Sequence, residues 1–204
     1  MTARERPILF SAPMVRAILA GNKTQTRRVV KLNRHYQIEE RDDGSLWPWM
    51  YDDDRTSDSW LACPYGMPGD RLWVKEQTIK VEDRGWIGPV YTESDEGRQA
   101  MDWGYGEPDD PDHIPPHAIK RRPSLFMTRA MSRITLEVTE VRVERLQDIS
   151  EADAMAEGAP WGACGSPQEG SRKAGFAKLW ESINGPNSWG ANPWVWAINF
   201  KRLA

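Results

Sequence analysis

RITLEVTEVRVERL, residues 133–146, alternates apolar and polar side chains and then changes parity halfway. Ile134, Leu136 and Val138 share one face of a strand, whereas Val141 and Val143 fall on the other parity. An extra residue near Thr139-Glu140 restores one continuous apolar face, so the pattern predicts a long strand with a bulge there. Bulges of this kind bend a sheet, which points to a sheet that curls toward a barrel.

Working outward, Ser150-Glu151-Ala152-Asp153 reads as a capped helix start, and Gly158 marks the end of that short helix. Phe176, Leu179, Trp180 and Ile183 follow at helical spacing, predicting a helix over 172–183 stopped by Asn184-Gly185-Pro186. Trp194, Trp196, Ile198 and Phe200 alternate through a last strand. Toward the amino end, Ser11, Pro13 and Gly21 bracket a helix over about 12–20, with a strand following through Thr24 to Leu32. Asp43-Gly44 predicts a hairpin within 36–49, and a smaller one is expected around Arg84-Gly85. Pro64 to Asp70 is a tight turn feeding a strand in which Leu72 and Val74 share a face. Residues 93–112 carry eight acids against one base, Arg98, and 92–123 is rich in glycine and proline; an irregular excursion is expected there. The sum is an α+β chain, a curled sheet with short helices in its connections, forming one domain over 1–204.

The bulk properties bound the function. Net charge is −3, which argues against indiscriminate binding to nucleic-acid phosphates, although basic residues cluster at 23–34 and from Lys120 to Arg133. No apolar run approaches the ~18 residues of a membrane span. Met1 to Pro7 is charged and lacks an apolar h-region, so no secretory signal is expected. Two cysteines, Cys63 and Cys164, make no disulfide framework and fit a reduced, cytoplasmic setting. Eleven tryptophans are mostly expected in cores, though tryptophan also stacks on bases. His113 and His117 flank two prolines, which forbid the helix that usually presents such a pair, so no metal site is expected. Phosphate loops and serine-hydrolase elbows are absent, and no cofactor is called for.

Two features carry chemistry. Lys23-Thr24-Gln25-Thr26-Arg27-Arg28 follows a helix-stop glycine, and a lysine at such a strand start can project into a cavity mouth. Burial lowers a lysine's pKa until it can act as a base toward a nearby hydroxyl. Glu157 sits in the last turn of its helix, where a carboxylate opposes the macrodipole by ~0.3–1 kcal/mol. It suits a lysine partner better than its own helix.

Ala20-Gly21-Asn22-Lys23-Thr24-Gln25-Thr26-Arg27-Arg28 resembles the Gly-x-Lys-Thr-x-x-x-Arg signature of ASCH domains, a PUA-like β-barrel superfamily. Pro68 to Val74, Ile134 to Thr139, Leu146 to Gly158 and Trp194 to Lys201 continue the likeness in order, over about half the chain. The whole chain is most similar to the larger ASCH proteins of bacteriophages and prophages, with insertions at about 33–62 and 79–132. The resemblance implies a cytoplasmic protein of a bacterial host cell, directed at a nucleoside or RNA. Related bacterial proteins are N4-acetylcytidine amidohydrolases, and their Lys, Thr and Glu fall here on Lys23, Thr26 and Glu157. Arg27, Arg28, Arg71 and Trp73 are then the implied substrate or RNA contacts. Hydrolysis of an N4-acyl amide, a non-catalytic RNA or modified-base binding module, and ribonuclease action all remain open. Lys23 and Thr26 lie on opposite faces of an ideal strand, so the catalytic scheme requires a twist or bulge between them.

Overall fold

In a computed structural model, residues 3–51, 59–82, 88–164 and 166–203 are described. Strand β1 (Glu5–Leu9) leads into helix α1 (Ala12–Leu19) and β2 (Gln25–Val29). Then come β3 (Tyr36–Glu40), β4 (Leu46–Met50), β5 (Ser59–Trp60), β6 (Arg71–Lys75), β7 (Thr78–Lys80) and β8 (Val90–Tyr91). Helix α2 (Asp95–Trp103), β9 (Lys120–Arg122), β10 (Thr135–Arg145), α3 (Glu151–Ala156), β11 (Gly162–Cys164), β12 (Ser166–Ser171), α4 (Arg172–Asn184) and β13 (Trp194–Arg202) complete the order. The protein is a mixed α+β fold.

The main sheet runs β1-β6-β10-β13-β2. The β1–β6 pair is parallel and the other three are antiparallel. The register of β10 against β13 shifts between Val138 and Glu140, where the parity change predicts it. Leu136, Val138 and Val143 are consequently all buried despite their mixed parity. In a flat sheet the outer strands β1 and β2 would lie about 19 Å apart, at four spacings of ~4.8 Å. Instead the Arg28 guanidinium on β2 donates to the Leu9 carbonyl of β1 at 2.6 Å. The sheet is therefore rolled until its edges meet through a side chain. No ladder joins β1 to β2 among the described residues, so the roll does not close into a barrel.

The roll is filled by Ile8, Phe10, Val15, Leu72, Leu136 and Trp196 together with their buried neighbours. A second cluster, around Leu146, Ala154, Phe176, Trp180 and Val195, lies under α3 and α4. Strand β13 separates the two, since Val195 belongs to one cluster and Trp196 to the other. The hairpin of β3 and β4 forms around Asp43-Gly44 as expected, and its Trp47 packs edge-on against Trp196 at 4.9 Å. The turn around Arg84-Gly85 lies outside the described residues.

The 92–123 segment is more ordered than its composition predicts, because α2 forms inside it. Ser94 accepts a hydrogen bond from the Gly97 amide at 3.0 Å, and Asp95 and Glu96 lie in the first turn, where the macrodipole favours them. Acids that look like a disordered run are thus partly a helix start. Gly97 is required there, since a Cβ would sit 1.9 Å from the Tyr91 carbonyl oxygen. Ile79, Val81, Val90, Ala100 and Ile114 form a small core of their own.

Candidate functional site

The site forms where the carboxyl ends of α1 and α3 meet. After α1 the chain turns at Gly21, whose φ is +75°, and the amides of Asn22 and Lys23 both donate to the Ala17 carbonyl. The Thr24 amide donates to the Ala156 carbonyl at 2.8 Å, which ties this turn to the end of α3. Gly158, with φ +73°, lets α3 end against α1; a Cβ there would stand 3.3 Å from the Ala17 Cβ. Two glycine stops, each legible in the sequence, thus bring Lys23 and Glu157 together.

The Lys23 side chain is 0% exposed and that of Glu157 is 3%. Lys23 Nζ donates to Glu157 Oε2 at 2.6 Å, to the Glu157 carbonyl at 2.9 Å and to the Gln25 carbonyl at 2.7 Å. All three ammonium hydrogens have acceptors. One acceptor is a carbonyl at the end of α3, so the cation also answers the helix terminus that Glu157 by itself would oppose. Burial pushes the Lys23 pKa below the ordinary lysine range, with the Glu157 carboxylate pulling the other way.

Arg27 completes the enclosed network, its side chain also 0% exposed. It meets Glu144 at 2.5 Å, Asp153 at 3.3 Å and Glu157 Oε1 at 3.3 Å, and contacts Gln25 Oε1. Gln25 Nε2 in turn donates to Asp153 at 2.8 Å and to Asn199. Burial pushes the Asp153 pKa up, but the Gln25 hydrogen bond, Arg27 and Arg142 outweigh it and hold the carboxyl below the usual aspartate range.

Thr26 is 1% exposed and pairs across to Ile198 of β13. With Glu157, Arg28, Phe176 and Trp180 it lines a small cleft of about 60 Å³ between β2 and α4. Trp180 Nε1 is buried and has no hydrogen-bond partner among the described residues. Strand pairing begins at Gln25, so Lys23 lies before β2 and escapes the alternation that would set it opposite Thr26. The Phe10 ring lies 5.8 Å from Lys23 Nζ and 5.3 Å from Arg28 Cζ. Arg28 shares a strand face with Thr26 by alternation, whereas Glu157, which holds the Lys23 amine, also meets Arg27 of the opposite face.

The other expected contacts are distributed differently. Arg27 is enclosed by carboxylates rather than offered to a phosphate. Arg28 is half-buried and spans the rolled edge. Arg71, exposed and 3.9 Å from Glu5, and Trp73, half-buried beneath the Lys75 ammonium at 5.4 Å, belong to β6. Strands β10 and β13 stand between them and β2 in the sheet, and neither lines the Thr26–Glu157 cleft. His113 is occupied with the Gly106 carbonyl at 3.0 Å. Sequence reasoning missed Glu144, Asp153 and Trp180. The like parity of Gln25 and Arg27 was the available signal for a polar, enclosed strand face. Comparison of the chain with protein-family models, with curated proteins and with solved structures finds no match.

Proposed function

We propose that the protein is an ASCH-type amidohydrolase that removes an N4-acyl group from a cytidine-type substrate. The observation that carries the reading is the enclosed Lys23–Glu157 pair at 2.6 Å, with Thr26 and Glu157 on the wall of one cleft. The rolled, bulged sheet supports the finer assignment of a PUA-like barrel fold, which the resemblance implies.

The chemistry begins with the pair. Lys23 holds three engaged hydrogens, so it becomes a base by passing one to Glu157 Oε2. Burial narrows the gap between the ionic and neutral forms of such a pair. Neutral Lys23 then takes the Thr26 hydroxyl proton as Thr26 Oγ adds to the acyl carbon. The unpartnered Trp180 Nε1–H is the donor for the oxyanion that forms. Collapse breaks the bond from carbon to N4, and the leaving amine takes the proton back from Lys23. Water, deprotonated by Lys23, adds to the acyl–Thr26 ester; the carbon–Oγ bond breaks, Lys23 returns the proton to Thr26 Oγ, the carboxylic acid leaves, and Glu157 hands its proton back to Lys23. Arg27, on the other carboxylate oxygen, holds Glu157 in orientation.

The alternative of a non-catalytic RNA or modified-base module retains Arg28 but loses Arg27, whose guanidinium is already taken up by carboxylates. Incubation with N4-acetylcytidine, read as cytidine by chromatography, tests the proposal. Lys23→Ala, Thr26→Ala and Glu157→Ala are each expected to abolish release, with circular dichroism verifying the fold. Undiminished turnover in folded Thr26→Ala would exclude the mechanism.

A further inference from the structure

Arg28 lines a second cavity besides the Thr26–Glu157 cleft. This one is a half-open groove of about 330 Å³, walled by Leu9, Arg28, Tyr65, Lys75 and Leu125 among others. Its lining carries two cations and no carboxylate. Among the described residues Arg28 makes no ion pair; its guanidinium meets the Leu9 carbonyl and the Phe10 ring, and Glu157, already paired with Lys23 and Arg27, acts on it from farther off. Lys75 likewise has a carbonyl, that of Leu125 at 2.6 Å, and the face of Trp73. A half-buried guanidinium without an ion pair of its own is costly, and neutral carbonyls recover only part of that cost. Arg27 and Arg142, by contrast, are both matched to carboxylates. The Tyr65 phenol adds a donor, and burial raises its pKa so that the proton stays on.

Taking the amidohydrolase reading as its premise, we infer that this cavity is an anion subsite, in which Arg28, Lys75 and Tyr65 hold the phosphate of a mononucleotide while its acylated base lies in the Thr26–Glu157 cleft. The substrate class is then a cytidine-type nucleotide rather than the free nucleoside. Arg28, shared by both cavities, sets the phosphate beside the base. A mononucleotide fits better than an RNA strand, because the cavity offers two cations on a chain of net charge −3.

The test has two separate readouts. Calorimetric titration compares cytidine, cytidine 5′-monophosphate and a single-stranded RNA oligonucleotide on the wild type and Lys75→Met. Turnover compares N4-acetylcytidine with its 5′-monophosphate on the same proteins. The expected result is a preference of about 10- to 100-fold for the phosphorylated form in both readouts, the gain from one or two charge-assisted hydrogen bonds. Lys75→Met and Arg28→Lys should each lower that preference about tenfold. Equal binding of cytidine and its monophosphate by the wild type overturns the subsite, as does a preference that Lys75→Met leaves intact. Binding that appears only with the oligonucleotide overturns it in favour of a strand. If neither acylated compound is hydrolysed while monophosphate binding still depends on Lys75, the subsite stands and the hydrolase reading falls.

Discussion

Arg27 and Arg28 are neighbours on β2 and indistinguishable in composition, yet they meet opposite electrostatic surroundings. Arg27 is fully enclosed and faces Glu144, Asp153 and Glu157. Arg28 is half-buried and faces a main-chain carbonyl, an aromatic ring and a cavity that also holds Lys75. Alternation along a strand sends the two guanidiniums to opposite sides, and the surrounding elements do the rest. On one side α3 and β10 supply acids, whereas the other side is the seam of the rolled sheet, closed by Leu9 and Phe10. A cation whose charge is already satisfied is a structural element; one whose charge is not is open to a ligand.

The largest effect that can break this comparison is on stability. Arg27→Met leaves three carboxylates around a missing cation and is expected to cost about 3–5 kcal/mol, the usual penalty for breaking an enclosed pair. Arg28→Met removes an unmatched charge and should change stability by less than about 1 kcal/mol. Denaturant unfolding of the two variants measures both; equal losses would show that the two guanidiniums do the same work. Lys23 and Glu157 sharpen the same point through a double-mutant cycle. Lys23→Met or Glu157→Leu alone is expected to cost about 3 kcal/mol, and the double variant should recover most of it while remaining inactive. Additive losses would mean that the 2.6 Å contact carries no coupling.

How far this was legible in the sequence depended on whether a feature is local. The bulge at Val138–Glu140 is written in the parity of one strand, and the Gly21 and Gly158 stops are written in two helix ends. Lys23 and Glu157 could be paired in advance because each had a local reason to want the other. Arg27 and Arg28 could be assigned to opposite faces, but not to an enclosed and an open one. That difference arises because β2, although last in the sheet, is covered on one side by α3 and α4 and on the other by Phe10. Helix α2 was missed for a similar reason: Gly97 looks like a breaker until the Tyr91 carbonyl packs against it. Trp180 reads as one more core aromatic, and its missing partner exists only in three dimensions.

Trp180 gives the next prediction, because it lines the cleft shared by Thr26 and Arg28 and its N–H has no partner among the described residues. Trp180→Phe keeps an aromatic ring in the cluster and deletes an N–H that has no partner to lose, so stability should move by about 1 kcal/mol or less. If that N–H meets the oxyanion, kcat falls about 10- to 100-fold with little change in KM. A variant with unchanged kcat assigns the indole to packing alone.

The smallest effect is in pH, and its sign follows from burial. The Lys23 pKa is lowered in the folded chain, so between that value and the ~10.4 of a free lysine the unfolded chain binds the extra proton. Stability from this residue therefore rises with pH across that window, by no more than about 1.4 kcal/mol per pH unit for one proton. Cys63 works in the opposite direction. Its thiol is pushed by burial up to about 11, so the folded chain keeps a proton that the unfolded chain releases from about pH 8.5 upward. The two contributions overlap, and only the difference between wild type and Lys23→Met isolates the lysine. That difference should grow with pH, and kcat/KM of the wild type should rise over the same range as neutral Lys23 becomes available. Arg28→Met leaves the titrating group in place but removes one of the charges that lower its pKa, so the window should narrow from its acid side while the sign of the slope is kept.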